Sequence, residues 1–177
     1  MEIKHFGQRV GIFIDASNLY HSAKNLYGAR VNFSEILKLA IAGRNLIRAF
    51  AYVIKTKTQE EKLFFRALKN LGIEIREKNL QEYTSGFKKA NWDVGITIDA
   101  VKVSPTIDVV VLISGDGDFV PLVEYLKNQG KRVEVIAFSK TASSKLKEVA
   151  DEFLDLDRKP EKYVYSIEKR KIKHIFK

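Results

Sequence analysis

Hydrophobic positions along this chain alternate between two rhythms. Short, nearly unbroken apolar runs occur at Val10–Ile14, Leu46–Ile54, Ile73–Arg76, Ile107–Ile113 and Val133–Phe138, with a shorter one at Phe153–Leu156. Such runs read as strands; Ile107–Ile113, β-branched and almost unbroken, reads as one covered on both faces, and the last run as a short edge strand. Between them, apolar residues recur at helical spacing. Leu19, Tyr20, Ala23 and Leu26 form one stripe, and Phe33–Ala42 another, capped near Asn32 or Ser34. Thr58-Gln-Glu-Glu61 is a capping box opening a helix through Leu71, whose inner stripe is Leu63, Phe64, Ala67, Leu68 and Leu71, with Gly72 closing it. Phe119–Asn128 and Ser143–Ala150 complete the helical set, and Asn79–Asn91 reads as a polar loop.

Trp92–Val103 carries both signals. Trp92, Val94, Ile96 and Ile98 alternate with Asp93, Gly95, Thr97 and Asp99, which taken alone says strand. Parallel neighbours, however, need a crossover of about a dozen residues or more, usually helical, and no other segment at this point supplies one. The expectation is therefore a helix. Strands alternating with helices predict an α/β fold, a three-layer α/β/α sandwich around a mostly parallel sheet.

Two of the predicted strands end in carboxylates. Arg9–Ile14 stops at Asp15-Ala-Ser-Asn18, and Ile107–Ile113 stops at Ser114-Gly-Asp116-Gly-Asp118. In open α/β sheets, ligands bind beyond the carboxyl ends of the strands. Each ending also has a plainer reading: Asp15 as a helix cap, Ser-Gly-Asp-Gly-Asp as turn chemistry. If the two strands are neighbours, Asp15, Asp116 and Asp118 converge. Asp93, in the first turn of the crossover helix, joins them, or else it serves only the helix dipole. Carboxylates packed together repel unless a cation neutralises them. Oxygen-only ligands favour Mg²⁺ or Mn²⁺, which in turn implies a phosphate-bearing substrate. Asn18 would hold Asp15 or a bound water. Asp99, six positions beyond Asp93, points about 120° away on a helix, to line the groove or to bind a lysine instead of the metal. Asp108, Asp151, Asp155 and Asp157 read as ordinary surface charges.

Composition narrows this reading without redirecting it. The chain has 177 residues, 45% of them hydrophobic, which fits one folded domain. No stretch reaches the length of a membrane span, and Met1-Glu-Ile-Lys-His5 lacks a signal-peptide profile, so the expectation is a cytoplasmic protein. Without cysteine there is neither disulfide nor thiolate–zinc site, and His5, His21 and His174 are scattered. Of the net charge of +9, +6 falls in residues 158–177, leaving a mildly basic body. The expected division is a domain over 1–157 and a basic tail over 158–177. The tail is either a polyanion-binding arm, with Lys169, Arg170 and Lys171 at its centre, or a solvated terminus.

Taken together, these pieces resemble the NYN domain family, LabA-like branch, of the PIN-domain superfamily. The matching residues are Asp15-Ala-Ser-Asn18, Trp92-Asp-Val94…Ile98-Asp-Ala100, Ser114-Gly-Asp-Gly-Asp-Phe-Val-Pro-Leu122, Gly130-Lys-Arg-Val-Glu-Val135, and Ser143-Ser144…Leu146…Ala150-Asp-Glu-Phe153. They span roughly residues 9–157. The resemblance implies a PIN-like sandwich with a Mg²⁺- or Mn²⁺-dependent ribonuclease centre, in which Asp15, Asp93, Asp116 and Asp118 bind metal or act in catalysis and Asn18 and Ser114 support them. Many relatives read Lys-Gly-Val-Asp where this chain has Ala90-Asn91-Trp92-Asp93. That leaves Lys88 and Lys89 as the candidate nucleic-acid contacts of the loop, and Trp92 either as a core residue, the first reading, or as a base-stacking one.

The leading expectation is thus a metal-dependent endoribonuclease acting on RNA. The alternatives are an RNA-binding or regulatory module with a vestigial or structural acidic site, and a Mg²⁺-dependent phosphatase or phosphoacceptor. A sheet edge at Phe153–Leu156 would suit a homodimer.

Overall fold

Strand β1 (Arg9–Asp15) lies in the middle of a six-stranded, wholly parallel sheet. A computed structural model describes residues 4–55, 59–79, 81–82, 88–89 and 91–166, with backbone alone at 59–60, 81–82 and 88–89. After β1 come α1 (Ala16–Tyr27), β2 (Ala29–Val31), α2 (Phe33–Ile41), β3 (Asn45–Lys55), α3 (Gln59–Asn70) and β4 (Glu74–Asn79). Two short strands, β5 (Gln81–Glu82) and β6 (Lys88–Lys89), precede α4 (Asp93–Val103) and β7 (Val109–Ile113). Then follow α5 (Val120–Asn128), β8 (Arg132–Ala137), α6 (Ser144–Val149), β9 (Glu152–Asp155), α7 (Pro160–Tyr163) and β10 (Val164–Ser166).

The large sheet runs β4-β3-β1-β7-β8-β9. In order along the chain its strands stand third, second, first, fourth, fifth and sixth, so the winding reverses between β1 and β7. That switch point is where an open α/β sheet forms its binding crevice. The register pairs Ile14 with Ile113, which brings the two carboxylate-bearing strand ends side by side.

Side-chain alternation along the strands feeds two cores. Val10, Ile12, Ile14, Val109, Val111 and Ile113 face α1 and α2, while Phe13, Val110 and Leu112 face α4 and α5 with Ile96, Ala100, Leu122 and Leu126. Every residue of β7 is buried, as a strand covered on both faces requires.

Trp92–Val103 is the expected crossover helix, starting at Asp93. Its strand-like pattern has a physical origin: Ile96, Ala100 and Val103 face the core, while Val94 and Ile98 lie on the solvent side. Elsewhere the structure refines the expectation. The segment read as a polar loop contains the antiparallel pair β5–β6, which two-residue strands with no apolar alternation do not betray. Beyond Asp157 the chain continues through α7 into β10, which pairs antiparallel with the equally unforeseen β2.

The acids read as surface charges act as clamps. Asp108 accepts from the backbone N–H and guanidinium of Arg9, Asp151 from the Val133 N–H at 2.8 Å, and Asp157 from the Lys140 N–H and the Tyr27 hydroxyl. Asp155 accepts from the Ser139 and Asp157 N–H groups. Among the described residues no helix is long and apolar enough to cross a membrane.

Candidate metal centre at the carboxyl edge of the sheet

Asp15 is the last residue of β1 and the N-cap of α1. Its Oδ1 accepts from the Asn18 N–H at 3.1 Å, so the cap reading holds. Its Oδ2 accepts from the Ser114 hydroxyl at 3.1 Å. The fully buried Ser114 oxygen in turn accepts from the Asp116 N–H at 3.2 Å, joining the ends of β1 and β7 through one side chain. The Asn18 side chain does not reach back to Asp15; its Oδ1 accepts from the Gly115 N–H at 3.0 Å and so holds the acidic loop.

That loop turns tightly. Asp116 Oδ1 accepts from the Asp118 N–H at 3.0 Å, capping a single 3-10 turn at Gly117–Phe119 before α5 begins. The two glycines are required by close approach. A Cβ on Gly115 would sit 3.0 Å from the Ala142 Cα, and one on Gly117 would sit 2.9 Å from the Ser143 Oγ. The loop after β8 thus presses the acidic turn into place, sealed by the Ser143 N–H donating to the Gly115 carbonyl at 2.9 Å.

Asp93 arrives from the first turn of α4. One carboxylate oxygen from each of Asp93, Asp116 and Asp118 lies within 4.8 Å of the others. Asp15 stands beside this trio, near enough to feel Asp93 and Asp116, but both its oxygens are engaged by Asn18 and Ser114. Burial pushes the Asp15 carboxyl above its ordinary range, with Asp93 and Asp116 adding to the effect and the two hydrogen bonds opposing it. Asp93 is also raised, first by burial, then by the charges of Asp116 and Asp118, against a smaller opposing pull from Lys78. The site therefore gathers more negative charge than its own cations offset. Three converging oxygen donors with nothing softer among them fit a hard divalent cation, and Asp93, Asp116 and Asp118 are the residues that would hold it.

Asp99 is drawn elsewhere. Its Oδ2 accepts from the Tyr52 hydroxyl at 3.0 Å and lies 3.3 Å from Arg76 Nε, so it has a cation of its own. Trp92 packs at the edge of the core, as first read. Its Nε1 donates to the Val53 carbonyl at 2.9 Å and its ring meets Tyr52 edge-on at 5.4 Å. Lys169, Arg170 and Lys171, and the side chains of Lys88 and Lys89, lie outside the described residues. Sequence reasoning passed over Asn91, whose Nδ2 donates to Asp93 Oδ2 at 2.6 Å, and Lys78 on β4. The adjacency of Asn91 to Asp93 was a usable signal; Lys78 becomes a neighbour only through the fold.

The chain is similar to known proteins in sequence and in fold. The model of the NYN domain family matches residues 9–157. The chain is 30% identical over 158 residues to the Low amplitude and bright protein LabA of Synechococcus elongatus, covering 84% of each. A crystal structure of a protein of unknown function from Vibrio parahaemolyticus superposes with a TM-score of 0.83 at 28% identity, covering 93% of this chain and all of that one.

Proposed function

The chain belongs to the NYN domain family, and from that premise we propose that it is a divalent-metal-dependent ribonuclease cleaving RNA phosphodiester bonds. The observation that carries this reading is the convergence of Asp93, Asp116 and Asp118 at the switch point of the sheet. A Mg²⁺ or Mn²⁺ ion bound there supplies Lewis-acid stabilisation of charge on the scissile phosphate and lowers the pKa of water. The protein's share of the work is positional. Asp116 and Asp118 are fixed by the Asp116 cap, the Ser114 hydroxyl and the packing of Gly115 and Gly117 against residues 142–143. Asp93 is oriented by Asn91. Asp15, buried and already bonded twice, acts as the post to which Ser114 and hence the Asp116 amide are tied.

The test is cleavage of end-labelled RNA with Mn²⁺, Mg²⁺ or EDTA, comparing wild type with Asp116→Asn. Cleavage that needs metal and falls at least about 10²-fold in the variant supports the reading, since a site of this kind supplies several kcal/mol. Absence of cleavage in both, with RNA still bound, replaces it with an RNA-binding or regulatory module.

A further inference from the structure

On β3 and β4, cations are matched one by one to carboxylates. Arg48 makes a two-pronged contact with Glu74, Lys55 pairs with Glu77, and Arg76 with Asp99. The fourth cation of β3 and β4, the exposed Lys78, breaks the pattern. Among the described residues its ammonium meets one backbone carbonyl, that of Asn91 at 3.3 Å, and the Trp92 ring at 5.6 Å from its centroid. It does so through Asn91, the residue that also donates to Asp93 of the acidic trio.

The residues holding it there are themselves fixed. Trp92 is anchored by its Nε1 bond to Val53 and by the edge of Tyr52. Its ring lies on the first turn of α4 at Gly95, where a Cβ would come within 2.5 Å of Trp92 Cε3, so no other residue fits under it unshifted. Asn91 is a joint with two ends: its carbonyl accepts from Lys78 and its amide donates to Asp93. An ammonium has three donors and only one is used by Asn91. Asn91 thus stands between the Lys78 ammonium and the Asp93 carboxylate.

We propose that Lys78 is a phosphate-binding residue of this centre, holding a backbone phosphate of single-stranded nucleic acid next to the one at the acidic trio, and that Trp92 and Asn91 are positioning residues for it. The assignment rests on the nuclease reading for its substrate class. It explains why a lysine linked to Asp93 through Asn91 is kept on a carbonyl and a ring: a salt bridge to Asp93 would occupy both the ammonium and a metal-ligating oxygen. A cation–π contact is weak enough, about 0.5–1 kcal/mol at an exposed site, to yield to a phosphate.

The test is the salt dependence of binding to a fluorescein-labelled oligouridylate in EDTA, where the strand stays intact. Each lost phosphate contact lowers the slope of log K against log salt by about 0.7 for a single strand. Lys78→Ala is expected to lose that much slope and several-fold affinity, Lys78→Arg to restore the slope, and Lys24→Ala, an exposed lysine elsewhere, to change neither. Trp92→Leu combined with Lys78→Ala is expected to be no weaker than Lys78→Ala alone. Because Trp92 is the one tryptophan in the sequence, its emission reports on this spot and should change on binding in wild type but much less in Lys78→Ala. An unaltered slope in Lys78→Ala, or equal losses in Lys24→Ala, overturns the assignment. Cleavage is not needed for any of these readouts. A normal slope with Asp116-dependent cleavage sinks Lys78 and leaves the nuclease standing; a reduced slope without cleavage in wild type does the reverse.

Discussion

Toward the amino ends of the strands, Glu134 on β8 is fully buried, yet every charge near it is answered. Arg44 donates to both its oxygens at 2.8 Å, Arg132 adds a bond at 3.0 Å, and Lys4 lies at 3.3 Å. Two further donors of Arg44 go to the Ala40 and Ile41 carbonyls that end α2. Burial alone would push Glu134 up, but these bonds outweigh it and hold the carboxyl below its ordinary range. At the carboxyl edge of the same sheet, Asp15 and Asp93 shift the other way, because burial and like charges outweigh the hydrogen bonds to Asp15 and the pull of Lys78 on Asp93. Both places crowd charge at an edge of the parallel sheet. One is complete within the chain and serves the fold; the other gathers like charge in a crevice, which makes it the candidate functional end.

Breaking the complete end should produce the largest effect on stability. Glu134→Gln leaves the Arg44 guanidinium buried without its counter-charge, at a cost of about 3–5 kcal/mol. That is a large share of a typical domain's total. Urea unfolding monitored by circular dichroism should show the midpoint falling sharply at an unchanged slope. A midpoint near wild type would mean that the network is not the anchor described.

The incomplete end should respond in the opposite sense. Asp93 is raised in the folded state, so its ionisation works against folding: that cost is absent below the unfolded pKa of about 3.9 and grows as pH rises through the folded value. Asp93→Asn should therefore raise the melting temperature of metal-free protein at pH 7, by about 2–4 °C for each kcal/mol of repulsion removed. The difference should vanish on acidification. Addition of Mn²⁺ should raise the wild-type melting temperature and leave the variant's nearly still.

The smallest effect belongs to an exposed pair, Asp108 with Arg9. Hydrogen bonds from the Arg9 side chain and backbone pull Asp108 down to about 2. Its stabilising contribution is present above the unfolded pKa and is lost as pH falls toward 2. Because the pair is screened by solvent, Asp108→Asn should cost under about 1 kcal/mol at pH 7, measured by the same urea unfolding. A larger loss would place Asp108 among the buried contributors and blur the contrast between the two ends.

Much of the candidate site was legible in the sequence, because its rule is local. An apolar run that stops in a carboxylate identifies Asp15, Asp116 and Asp118, and the need for a crossover helix identifies Asp93 despite the strand-like alternation around it. Asp99 shows the limit of that rule: only the fold brings Tyr52 and Arg76 to it and away from the trio. The complete end was not foreseen. Arg44 sits in a turn and Glu134 is a lone acid in Val133-Glu134-Val135, separated by 90 residues. The clue was available, since a polar residue in a strand covered on both faces must find a buried partner. Nothing in periodicity says which partner. β2 and β10 escaped for a related reason: three-residue strands gain their identity only from pairing with each other.

The claim that the carboxyl edge is completed by a divalent cation is tested most directly by Mn²⁺ titration followed by electron paramagnetic resonance, wild type against Asp93→Asn. The account predicts that wild type depletes the free Mn²⁺ signal and that the variant, folded by circular dichroism, does so at least about tenfold more weakly. Equal affinity in the two proteins, or no uptake by either, would contradict it.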